Sequence, residues 1–173
     1  MNAEEFAQWE QWLLEITASW MVERGEIPPL AHLICRNDLE TGEPLEAPRP
    51  YMIPCMFPMD KDRWTDLIRG LAMRGNAIGC AMVNEAWALA TGSGDELNQA
   101  MEQYDGDFSK HPDRIEQVII LTEHAQEGRK MWLADIIREG DTARLSEFAC
   151  HKEEKDSTIG GRFTHIIPNA VLD

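Results

Sequence analysis

A chain of 173 residues is long enough for one domain with a proper core and short for two. Its 43% apolar and 27% charged residues exclude wholesale disorder. Thirty-one acids against 16 bases give a net charge of −15, which repels phosphate backbones and sets the expectation against direct nucleic-acid binding.

The first helix is the clearest element. Phe6, Trp9, Leu13, Ile16 and Trp20 recur at intervals of three and four, and Trp12 widens the stripe. Gly25 and Pro28-Pro29 stop it. Leu14 and Met21 fall outside the stripe, so the helix is either sandwiched or meets a second subunit. Leu30 to Cys35 reads as a strand. Residues 43–58 carry Pro44, Pro48, Pro50, Pro54 and Pro58, which restrict the segment to an extended edge or a loop. Asp60 is placed to cap a second helix with Trp64, Leu67, Ile68 and Leu71 on one face, ended by Gly75-Asn76.

Residues 77–90 are apolar at both alternating positions, as suits an interior strand covered on both sides. Asp95 caps a short helix to about Tyr104, after a loop at Thr91 to Gly94. Three strands follow, at 115–125, 130–139 and 144–151, with Glu127-Gly128 and Gly140-Asp141 at the turns of a meander. Lys152 to Ser157 reads as a charged loop, and Arg162 to Ile167 as a last strand. The sum is an α+β domain spanning residues 1–173: an antiparallel sheet of about five strands, an N-terminal amphipathic helix and one or two further helices.

Motifs for chemistry are sparse. Cys35, Cys55, Cys80 and Cys150 are widely spaced, and no Cys-x-x-Cys or His-Glu-x-x-His occurs, so neither metal nor cofactor is expected. Gly92-Ser93-Gly94 is too short for a nucleophile elbow and lacks the lysine of a phosphate loop. Asn84 and Glu85 interrupt an apolar strand, and a carboxylate among apolar residues is costly without a partner. His124 closes the central strand. A two-residue turn at Glu127-Gly128 would set Glu123 opposite Trp132, His124 opposite Met131 and Asp135 opposite Ile120. A structural ion pair is the bland account of these carboxylates; a general base is the sharper one.

Glu4 and Glu5 stand where a signal peptide would carry bases, and no run approaches the roughly 18 apolar residues of a membrane span, so a cytoplasmic protein without membrane contact is expected. The leading expectation is a non-catalytic protein-interaction or regulatory domain. Trp9, Trp12 and Trp20 of the first helix would contact a protein partner or a second copy in a homodimer. The alternative is a small enzyme or ligand-binding domain with a polar site built from Asn84, Glu85, His124 and Asp135. An acidic nucleic-acid mimic rests on charge alone and would need that charge gathered on one face.

Overall fold

Asn2 starts helix α1 (Ala3–Arg24) with a capping box: its side chain accepts the Glu5 N–H at 2.9 Å, and the Glu5 carboxylate accepts the Asn2 N–H at 2.8 Å. Gly25 ends the helix in the left-handed conformation, φ 73°. The computed structural model describes residues 1–55, 61–89, 94–104, 108–152 and 166–167. After α1 come β1 (Leu30–Asn37), β2 (Pro44–Pro54), α2 (Lys61–Arg74), β3 (Ala77–Leu89) and α3 (Gly94–Gln103). A 3-10 turn at Phe108–Lys110 leads into β4 (Arg114–His124), β5 (Gly128–Glu139), β6 (Thr142–Leu145) and β7 (Ala149–Lys152). All pairings are antiparallel, in the order β2-β1-β3-β4-β5, and β6 and β7 share the outer edge of β5.

The chain is therefore α+β with an antiparallel sheet and an N-terminal helix, but among the described residues the sheet has seven strands where about five were expected. Two segments account for the difference. The proline-rich stretch is a full edge strand, β2, and the strand expected over 144–151 is broken into β6 and β7. Of the expected last strand, residues 162–165 lie outside the described residues, and Ile166 and Ile167 are not in a strand. The Asp60 cap and the loop at 91–93 also lie outside them.

Strand alternation loads both faces of the sheet with apolar side chains. Ala31, Leu33, Cys35, Cys80, Met82 and Leu121 meet Trp64, Ile68 and Ala72 of α2 on one face. Leu30, Val83, Val118 and Ile120 meet Leu13, Leu14 and Met21 of α1 on the other. This is why the 77–90 segment is apolar at both alternating positions. Gly79 lets α1 approach the sheet, because a Cβ there would lie 3.0 Å from the Phe6 ring and 3.1 Å from Ile34.

The buried arc of α1 is rotated from the expected stripe. Phe6, Glu10, Leu13, Leu14, Thr17 and Met21 are buried, Trp9, Ile16 and Trp20 flank them, and Trp12 is exposed. The β4–β5 register also differs. Ala125 to Glu127 form a three-residue loop, with Gly128 at φ 75° in the left-handed position such loops need. Glu123 is then opposite Arg129, His124 opposite Gly128 and Asp135 opposite Gln117. The shift is an odd number of residues, so it exchanges the faces on which the two strands' side chains meet.

Candidate interaction surface

Adjacent residues on a strand face opposite ways, and this separates the polar residues singled out in the sequence. Glu85 is on the α1 face, where its carboxylate accepts the Ile27 N–H at 2.7 Å. Burial raises its pKa, and that N–H and the nearby Arg138 act the other way. Glu85 thus fastens the turn between α1 and β1. Asn84 is buried on the α2 face, and its Oδ1 has no hydrogen-bond partner among the described residues. Asp135 is exposed on that same face and accepts from the Gln117 side chain at 2.8 Å.

His124 faces α1 with its ring 4.4 Å from that of Phe6, and its Nδ1 accepts the Gln126 N–H at 3.3 Å. Burial holds its pKa below the ordinary histidine range. Glu85 stands opposite Val118, six residues along β4 from His124, a separation of roughly 20 Å at the rise of a strand. The structure does not bring Asn84, Glu85, His124 and Asp135 into one cleft.

Two other carboxylates each gather polar partners, one on each face of the sheet; Glu10 was not singled out from the sequence, and Glu123 was considered there only as the neighbour of His124. Glu10 projects from the buried side of α1 onto the sheet, where it accepts from Thr122 Oγ1 at 2.6 Å and pairs with Lys130 Nζ. Thr122 and Lys130 are register partners on β4 and β5, so one carboxylate ties the helix to two strands. The readable signal was a glutamate within the apolar arc Phe6-Leu13-Leu14-Thr17. On the opposite face Glu123 is buried beside Arg129, 3.5 Å from its Nε. One Glu123 oxygen accepts the N–H groups of Ile166 and Ile167 at 2.7 and 3.0 Å. Both carboxylates have fixed structural partners, as buried charges require.

Among the described residues Val22, Leu67, Met73 and Trp87 are exposed apolar side chains, and Trp12 and Met52 are exposed around a chain of aromatic rings. His32 on β1 is only 3% exposed and lies edge-on to Trp9 and Trp12, with ring centroids 6.2 and 6.0 Å away. Trp9 in turn packs 5.3 Å from Phe6, so the rings run from the core at His124 out to Trp12. His32 Nε2 and Trp9 Nε1 are buried without partners among the described residues. Burial pushes the His32 pKa down to about 4, so the ring is neutral at physiological pH. Above it Trp12 is 49% exposed and Met52, the register partner of His32 on β2, is 58% exposed. Trp20 is half-buried beneath the Arg24 guanidinium at 5.6 Å.

The prolines of β2 shape the adjoining edge. Cys55 N–H donates to the Pro29 carbonyl at 2.8 Å, which sets the alternation of the β1–β2 ladder. Residues 50, 52 and 54 then point their backbone away from β1, and two of the three are proline. The free edge has lost most of its donors there, so the surface offers side chains and not a strand template.

The fold and this face together define a helix-covered antiparallel sheet with an exposed aromatic flank. No family model, curated protein or solved structure matches the chain. Among the described residues no group of three or more His, Cys, Asp or Glu is placed to hold a metal ion, and no helix is long and apolar enough to cross a membrane.

Proposed function

We propose that this chain is a non-catalytic protein-interaction domain that docks through the outer flank of α1, and that the partner this flank takes is a second copy. The observation that supports the reading is the exposure of Trp12 and Met52, each of them a neighbour of the buried His32. Tryptophan and methionine are the residue types that enrich interface centres. In a two-fold contact each would be buried twice, once per subunit. Covering such a side chain fully is worth about 1.5–3 kcal/mol, and about half of each remains to be covered.

The opposing term is charge. Each copy carries −15, and Glu5, Glu15 and Glu23 are exposed on α1. Like charges brought together resist association, and salt screens them. The dimer should therefore be weak in dilute buffer and tighter at high salt. Sedimentation equilibrium of the protein and of a Trp12→Ser, Met52→Ser variant tests the face directly. The native chain should show a monomer–dimer equilibrium that the variant loses while its circular dichroism stays native. A variant that dimerises as well as the native chain would remove this surface from the account.

A further inference from the structure

The other flank of α1 carries a second feature. Leu14 and Ala18 of the helix, Trp132 of β5 and Phe148 between β6 and β7 wall a groove of about 400 Å³, within the size range of ligand pockets. The groove exists because the outermost strand is interrupted. Ser146 leaves the ladder after β6, its N–H donating to the Asp135 carbonyl at 2.9 Å and its hydroxyl accepting the Asp135 N–H at 2.9 Å. That anchor turns Phe148 toward the helix side before β7 resumes pairing with β5. The Trp132 indole N–H is buried without an acceptor among the described residues.

The charge on the rim has one sign. Glu15 stands on the helix bank, steadied by the Gln11 side-chain amide at 2.8 Å, and Glu147 stands on the strand bank. Both are exposed, and neither is in an ion pair among the described residues. An apolar trough between two unneutralised carboxylates is complementary to a segment that joins an apolar side chain to cationic ones. It disfavours phosphate-bearing ligands and a second copy of this acidic chain.

We propose that this groove receives a basic amphipathic segment of a partner protein. One apolar side chain enters between Trp132 and Phe148, and lysines or arginines on either side of it pair with Glu15 and Glu147. This site lies away from Trp12 and Met52 and stands whether or not that face forms a dimer.

The probe is a labelled synthetic peptide of leucine and lysine at helical spacing, with one control in which serine replaces leucine and one in which glutamine replaces lysine. Binding is read by anisotropy and by the indole N–H resonance of Trp132, assigned with Trp132→Phe. The leucine–lysine peptide should bind saturably, one per chain, and move that resonance. The serine control should bind at least roughly tenfold more weakly, since the apolar anchor carries the affinity. The glutamine control and a Glu15→Gln, Glu147→Gln variant should each lose roughly three- to tenfold, the worth of two rim ion pairs. Ala18→Trp, which fills the groove, should abolish binding, and Trp12→Ser with Met52→Ser should leave it unchanged.

Equal binding of the serine control would show attraction by charge alone and overturn the proposal. So would native-like Glu15→Gln, Glu147→Gln protein that binds undiminished, or absence of saturable binding. If Ala18→Trp disturbs the fold, the surface glutamine variant still decides the matter.

Discussion

His32 couples the aromatic flank to pH. Its pKa of about 4 in the fold lies below the roughly 6.5 of an unfolded histidine, so the unfolded chain takes up the proton first as pH falls. The neutral ring's contribution is present in full above about pH 6.5 and is lost progressively as pH falls toward 4. Across that window the loss amounts to about 3 kcal/mol. His124 shifts in the same direction, so the His32 part is isolated by comparison with His32→Leu. Urea unfolding should show the native chain losing more stability than His32→Leu between pH 6.5 and 4.5; parallel pH profiles would mean that His32 is already free to charge. Glu123 gives a second residue-scale test. Its removal takes the acceptor from two buried amide N–H groups and a carboxylate from beside Arg129, so Glu123→Ala should cost about 2–4 kcal/mol in urea unfolding. A cost under about 1 kcal/mol would show that neither group depends on it.

At the scale of elements, the sequence was most legible where local chemistry decides. Gly25 and the Gly75-Asn76 pair mark helix ends that the structure keeps, and residues 77–89 of the apolar run form the interior strand β3. The prolines of 43–58 ruled out a central strand, and β2 is an edge strand. What failed was geometry set by long-range fit. Glu127-Gly128 looked like a two-residue turn, but Gly128 serves as the left-handed residue that closes a three-residue loop, and the register moved with it. The helix stripe was misaligned because Glu10, polar by composition, is buried on Thr122 and Lys130, residues more than a hundred positions away. The edge chemistry yields its own prediction. Pro50→Thr with Pro54→Thr restores outward N–H donors on β2 and should raise the rate of thioflavin-positive aggregation severalfold. An unchanged rate would show that these prolines do not guard the edge.

Across the whole molecule, the sequence announced residue types but not convergence. Asn84, Glu85, His124 and Asp135 stood out as polar interruptions of apolar strands, yet strand alternation and the hairpin register distribute them over two faces of the sheet. The tryptophans were visible as a set, but only the packed helix shows that Trp9 and Trp20 are half-buried while Trp12 is presented to solvent. The net charge of −15 acts on the molecule as a unit: it opposes a dimer through Trp12 and Met52, and it favours a basic partner in the groove across the helix. The two contacts therefore respond oppositely to salt. The most direct test of the interaction reading is the dimerisation constant of the unaltered protein, measured by sedimentation equilibrium over a series of salt concentrations. Reversible dimers that tighten as salt rises are the expected result. A chain that stays monomeric at every salt concentration, or one whose dimers loosen as salt rises, would contradict it.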